Sequence, residues 1–315
     1  MRILYLDPIV HTHVSANYKY YDGVFDSLDD VFLYKSPPED GVDMQVLIDN
    51  LDFAPDVVVF GLGWFNHKFY GEIKNINLPS VCILFKPQND LKQKLSFCKI
   101  NKIDLILTPT PIFSIYEEMA GVKSKLFPYG FDEKVFFDRK LTKEYDVGFS
   151  GALHENKYYP PKAFPVKNIR TKIGNLLKQN SKIKVFWSAS DSRPARIPSY
   201  EDYSKTINSS KIWIATQAAF GDLTPRYYEI AASGALLFCQ KIPNEYTHIF
   251  KSGYNCVEFQ NDLSDFDNKL DFYLNNDQER ERIINNAKLF FEKFQWSSRA
   301  KDLISIINGV INENE

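Results

Sequence analysis

The chain has 315 residues, enough for about two domains of ordinary size or one large α/β unit. Hydrophobic residues make up 44% and charged residues 25%, which excludes a chain that stays disordered, and only 14 glycines exclude a collagen-like or low-complexity one. With 38 basic and 40 acidic side chains the net charge is −2, so coating nucleic acid by bulk charge is excluded as well.

The N-terminus, MRILYLDPIVHTH, has a short apolar run broken by Asp7 and Pro8, which predicts a first β-strand rather than a leader peptide. Short apolar runs follow at Val31–Tyr34, Val57–Leu62, Val81–Phe85, Leu105–Thr108 and Lys125–Phe127. Their continuity predicts strands buried on both faces of a parallel sheet. Between them, amphipathic stretches predict helices over Asn17–Leu28, Asp43–Phe53, Asp90–Lys99 and Pro111–Ala120. The alternation lapses over residues 128–145 and then restarts. Strands are expected at Asp146–Ser150, Ile183–Trp187, Lys211–Ala215, Ala235–Cys239 and Cys256–Phe259. The intervening helices fall at Asn168–Gln179, Tyr200–Asn208, Pro225–Ser233, Asn244–Phe250, Asp262–Leu274 and Gln278–Phe294, with a last one over Ser297–Val310.

This pattern predicts an α/β protein of two tandem doubly wound, Rossmann-like domains facing across a cleft. The first is expected over residues 1–140 and the second over 146–295, with a junction near 138–146. Residues 296–315 form a helix expected to cross back to the first domain. No stretch approaches 18 apolar residues, so no membrane span is expected. Cys82, Cys98, Cys239 and Cys256 form no C-x-x-C pair, and three lie in apolar runs. They read as free thiols in a reducing, cytoplasmic setting, with no zinc site.

The densest signal is SSKIWIATQAAFGDLTPRYYEIAASGALLFCQ, residues 209–240. A buried strand runs into a loop with Gly221 at its turn. Thr224 suits an N-cap, Pro225 the first helical position and Gly234 the C-terminal end. Such a helix start exposes unpaired N–H groups and a partial positive charge, which favours an anion. Arg226 adds a forked cation in the first turn. Glu229 lies five residues past the cap, about 7.5 Å along the axis. A diphosphate at the cap and a ribose diol at the carboxylate fit that spacing. An intrahelical Arg226–Glu229 pair at i,i+3 is the competing reading.

This stretch resembles the nucleotide-sugar signature of GT-B glycosyltransferases of the glycosyl transferases group 1 type, in the spore-maturation glycosyltransferase-like branch. The likeness continues through FKSGYNCVEF, LDFYLNND, RIINNA and WSSR, and reaches back to DVGFSGA and KSKLFPYGFDEKVF. The resemblance implies a cytoplasmic, metal-independent transfer of sugar from a UDP- or GDP-sugar to a glycan, lipid-linked or protein acceptor, as in polysaccharide biosynthesis. No further cofactor and no nucleic-acid partner are implied, and peripheral membrane contact is compatible with it. It places the nucleotide ribose on Glu229. Many relatives carry E-x7-E, but Gly221 stands at the first of those positions; neighbouring Asp222 is the candidate substitute.

Four weaker features accompany it. In DVGFSGALHENK, Gly148 and Gly151 follow a strand, a spacing that lets backbone approach a diphosphate. The resemblance matches Gly151 and Lys157 to the family's donor loop, with Ala152 at its arginine position. Residues 157–196 hold 10 basic side chains and one acidic, a local +9 that would draw an anion; Lys157 is the first choice within it and Arg170 the second. The HTH run at 11–13 follows the first strand, and His13 is the candidate general base. Asp265-Phe266-Asp267 opens a late helix and is expected to be structural, so no metal site is assigned. Donor-binding candidates are therefore Gly151, Lys157, Asp222, Thr224, Arg226 and Glu229. A sugar-nucleotide epimerase of the same fold, or a non-catalytic nucleotide-sugar-binding relative, are the alternatives.

Overall fold

The computed structural model describes residues 1–6, 23–28, 32–36, 43–62, 73–87, 90–153, 169–189, 197–218 and 221–314. His11, His13 and Lys157 lie outside them. The chain divides into two compact units, Met1–Pro128 with Ser297–Glu315, and Tyr129–Trp296.

The first unit holds strands β1 (Arg2–Leu6), β2 (Phe32–Ser36), β3 (Val57–Leu62), β4 (Ser80–Leu84), β5 (Leu105–Thr108) and β6 (Ser124–Leu126). All are parallel, in the order β2-β1-β3-β4-β5-β6. Every residue of β3 and β4 is buried, as their unbroken apolar runs require. Helices α1 (Met44–Asp49), α2 (Leu91–Ile100) and α3 (Phe113–Ala120) connect them. Asp43 caps α1 by accepting from the N–H groups of Gln45 and Val46, and Gly121 at φ 65° ends α3 in the left-handed region. The core joins Leu4, Val58, Phe60, Leu84, Phe97 and Tyr116.

The second unit holds β7 (Tyr145–Gly151), β8 (Val185–Ala189), β9 (Ser210–Ala215), β10 (Leu236–Gln240) and β11 (Val257–Phe259), all parallel in the order β11-β10-β9-β7-β8. Its helices are α4 (Ile169–Gln179), α5 (Tyr200–Asn208), α6 (Pro225–Ala232), α7 (Phe266–Asn275) and α8 (Asp277–Phe291). Helix α9 (Trp296–Asn314) follows and belongs, from Ser297 on, to the first unit. There Arg299 stacks its guanidinium 4.0 Å above the Phe127 ring, and Lys123 pairs with Glu313 at 3.1 Å. The expected helix over Asn244–Phe250 is only a 3₁₀ turn at Asn244–Tyr246.

The division falls at Pro128–Tyr129, not near residue 140, because residues 129–144 are tied to the second unit. Phe131 exchanges backbone hydrogen bonds with Phe294 and Trp296. The Arg139 N–H donates to Asn208 Oδ1 at 2.7 Å, and Lys143 Nζ donates to the carbonyls of Asn208 and Gly234. Burial works to raise the Asp138 carboxyl, but hydrogen bonds from Lys140 and Lys288 outweigh it and hold it well below the usual carboxylate range. Polar side chains made this stretch read as a linker, yet their partners are distant in sequence.

In both units the first strand lies between the second and the third. A doubly wound sheet of this order has its topological switch point between first and third strands, and ligands bind beyond their carboxyl ends. In the second unit that point lies at the ends of β7 and β9.

Candidate active site

Helix α6 begins directly beyond β9. Gly221, at φ 77°, makes the turn that returns the chain, and the Ala218 N–H donates to the Asp222 carbonyl at 2.9 Å. Pro225 occupies the first helical position as expected. Thr224 has the extended backbone of an N-cap, but its hydroxyl makes no capping bond and has no hydrogen-bond partner among the described residues. The donors of the first turn are thus left uncapped by it. Asp222 is 8% exposed beside them.

All eight residues of α6 except Arg226 are buried. Aromatic contacts fix the helix: Tyr228 meets the rings of Phe250, Phe291 and Phe294 at centroid distances of 5.1, 5.8 and 5.3 Å. The helix therefore has little freedom to adjust to a ligand, and the groups on it are preset.

Those groups do not satisfy one another. Arg226 donates from Nε to the Tyr203 hydroxyl at 3.2 Å. Its two Nη atoms lie 3.5 and 3.6 Å from where a Cβ on Gly151 would stand, against the last residue of β7. Among the described residues neither Nη nor the Glu229 carboxylate has a hydrogen-bond or ion-pair partner. The i,i+3 pair that the sequence allowed is not made. Glu229 is 4% exposed, and burial pushes its pKa up to about 7, with Arg226 only partly offsetting it. A buried carboxylate without donors is costly, so its presence calls for donors from elsewhere.

Arg170, in the first turn of α4, has a different part. Its Nε donates to Thr216 Oγ1 at 2.8 Å, and its Nη groups donate to the carbonyls of Ala152 and Gln217 at 2.6 and 3.4 Å. It ties the end of β7 to the end of β9 and so braces the site rather than presenting a charge to it. Gly148 is also reassigned. It faces Trp213 across β7 and β9, and a Cβ there would stand 2.2 Å from Trp213 Cε3. It makes room for an indole, not for a diphosphate; of the two glycines, only Gly151 reaches the site.

Asp265 and Asp267 lie at the start of α7, where Asp265 accepts from the Gln260 N–H and pairs with Lys269 at 2.7 Å. Among the described residues no group of three His, Cys, Asp or Glu side chains could hold a metal ion, and no helix is long and apolar enough to cross a membrane.

Residues 170–305 match the family model described as glycosyl transferase-like. Sucrose-phosphate synthase from Thermosynechococcus elongatus has a similar structure, with a TM-score of 0.66 at 10% identity over 99% of this chain and 100% of that one. HepE of Anabaena, solved in complex with UDP, gives 0.62 at 11% identity over 98% and 100%. A glycosyltransferase from Rickettsia africae gives 0.58 at 11% identity over 98% of each chain. The chain has the GT-B fold, and its residues 170–305 are similar to a glycosyl transferase-like domain. No curated protein matches its sequence.

Asp222, Thr224, Arg226 and Glu229 all lie within the matched residues 170–305, and Gly151 is carried to them by β7. The residue that sequence reading missed is Tyr203. It stands 23 positions before Arg226, on a helix whose pattern signals only packing.

Proposed function

We propose that the second unit binds the nucleoside diphosphate of a sugar nucleotide and that the protein transfers the sugar to a hydroxyl acceptor. The observation that carries this reading is the Arg226–Glu229 couple at the switch point of the sheet, whose Nη groups and carboxylate have no partner among the described residues. The diphosphate sits at the start of α6, against the Arg226 fork and the first-turn N–H groups. The ribose hydroxyls donate to Glu229, supplying the hydrogen bonds it lacks. HepE, similar in fold, was solved with UDP, which makes UDP the first nucleotide to try. Asp222 stands in for the missing first glutamate beside the sugar, and Lys157 adds a second cation to the leaving group.

In the reaction the bond from the anomeric carbon to the diphosphate oxygen breaks and a bond to the acceptor oxygen forms. The diphosphate leaves with the bonding electrons, stabilised by Arg226 and the helix N-terminus. The acceptor is a glycan, a lipid-linked glycan or a protein bound by the first unit, and His13, in the segment after β1, takes its proton. We propose that no metal is required, because Arg226 and the first-turn N–H groups supply the positive charge that a metal otherwise gives.

The test is thermal unfolding with UDP, GDP and their glucose esters, each with and without EDTA. A ligand at 100 times its Kd adds about 2.7 kcal/mol, so one diphosphate should raise the melting temperature by several degrees in EDTA. No shift with any of them overturns the donor assignment, and a shift abolished by EDTA overturns metal independence. Arg226→Ala should weaken the diphosphate, and rising salt should bring the wild type towards the variant. Radiolabelled sugar that appears only as an altered sugar nucleotide, with no acceptor required, would mark an epimerase instead.

A further inference from the structure

Arg226 carries a long flexible side chain, and a guanidinium free to rotate would lose entropy on every binding event. The structure shows what holds it. Helix α5 starts at an effective cap, where the Ser199 hydroxyl accepts from the Asp202 N–H at 3.1 Å. One turn on, Tyr203 packs edge-on against Trp213, centroids 5.7 Å apart at 71°, and edge-on against Phe136, 5.9 Å apart at 76°. Trp213 itself lies in the space that Gly148 leaves open, and its rings are fully buried. The phenol ring is thus clamped between two aromatic side chains, and its hydroxyl is a fixed point.

That hydroxyl accepts the Nε–H of Arg226. Burial pushes its pKa up, so it stays a neutral phenol at physiological pH. A guanidinium is planar with five N–H donors in a rigid fork. Fixing Nε in direction therefore fixes both Nη groups, which are the ones left against Gly151. We propose that Tyr203 is the positioning residue for Arg226 and sets the direction in which its fork meets the diphosphate. This rests on the reading of Arg226 as the diphosphate's cation. The phenol touches no reacting atom; it acts through the arginine.

The experiment is calorimetric titration of the full chain with UDP or GDP, whichever gives the larger thermal shift, and with the matching nucleoside. Wild type, Tyr203→Phe, Arg226→Ala and the double variant are compared. Phenylalanine keeps the ring contacts, so the melting temperature of Tyr203→Phe should stay within about a degree or two of wild type. Its affinity for the diphosphate should fall by about 3- to 10-fold, the effect of losing one modest hydrogen bond. Its affinity for the nucleoside should not change, which a general loosening of the site would not spare. In the double variant the tyrosine change should add nothing to the loss from Arg226→Ala. Diphosphate binding that needs Arg226 but is unaffected by Tyr203→Phe overturns this proposal alone, and so do two losses that simply add. Diphosphate binding indifferent to Arg226→Ala, or no binding, overturns the reading beneath it as well.

Discussion

Glu229→Gln should make the protein more stable at pH 8 and a poorer ligand binder at once. Glu229 is 4% exposed, and its pKa is pushed from an ordinary 4.5 up to about 7 by burial. The folded state then holds a proton that the unfolded chain releases between about pH 4.5 and 7, so stability falls as pH rises through that window. Below 4.5 the residue is neutral in both states and has no effect. Above 7 the full penalty is present, about 3 kcal/mol at 1.36 kcal/mol per pKa unit. Glutamine removes the charge but still buries an amide, so a net gain of about 1–2 kcal/mol at pH 8 is expected, or about 2–6 °C in melting temperature. At pH 4.5, where the wild-type penalty is nearly gone and the buried amide remains, the variant should be the less stable of the two by about 1–2 kcal/mol. At pH 8 the variant should bind the diphosphate about 10- to 150-fold more weakly than wild type, because hydrogen bonds to a charged acceptor are worth about 1.5–3 kcal/mol. Wild-type affinity should also climb between pH 6 and 8 more steeply than that of the variant, which shares only the titration of the phosphate. A variant less stable than wild type at pH 8, or one that binds UDP and GDP as tightly as wild type does, would show that the carboxylate is a structural partner and not a ligand for ribose.

Gly148→Ala should be among the most damaging single-methyl additions in the second unit. The new Cβ would stand 2.2 and 2.4 Å from Trp213 Cε3 and Cζ3, and 3.0 Å from Ser210 Oγ. Gly148 lies in β7, hydrogen-bonded to β8 on one side and β9 on the other, so the backbone cannot retreat. The indole cannot retreat easily either, since it is fully buried, stacked on Phe186 and abutting Tyr203. Overpacking of a well-filled core costs about 1–3 kcal/mol, occasionally more; a contact this short with no free direction belongs at the upper end. Urea unfolding should therefore show a loss of about 3 kcal/mol with an unchanged slope. Shrinking the neighbour should relieve it, so Gly148→Ala combined with Trp213→Leu should be less unstable than the sum of the two single changes. If Gly148→Ala instead kept wild-type stability and lost only diphosphate affinity, the glycine would be keeping space for a ligand after all.

Much of the fold was readable because each local signal agreed with its neighbours. Strands buried on both faces carry continuous apolar runs, and the runs within β3, β4, β9 and β10 stand out for that reason. The start and end of α6 were marked by Pro225 and Gly234, residues whose backbone limits act within one turn. Glu229 and Arg226 were found because a helix converts spacing into distance. The shorter helix at Met44–Asp49 and the 3₁₀ turn at Asn244–Tyr246 were overestimated, since amphipathic spacing alone does not say where a turn stops.

Two doubly wound sheets, their strands and a helix start carrying a cation and a carboxylate are legible in the residue pattern alone. The pattern did not determine whether those two charges meet. That depends on Tyr203, from another helix, taking Arg226 Nε, and on Gly151, from another strand, leaving the guanidinium room beside it. It did not determine the part played by Gly148 either, because a glycine after a strand reads alike whether the space beside it is for a ligand or for Trp213. Arg170 looked like a ligand cation until its donors were seen closing on Thr216, Ala152 and Gln217. Backbone signals act over three or four residues, and a sequence displays them directly. The partner of a long polar side chain is chosen among groups tens of residues away, and only the folded chain brings them within hydrogen-bond reach.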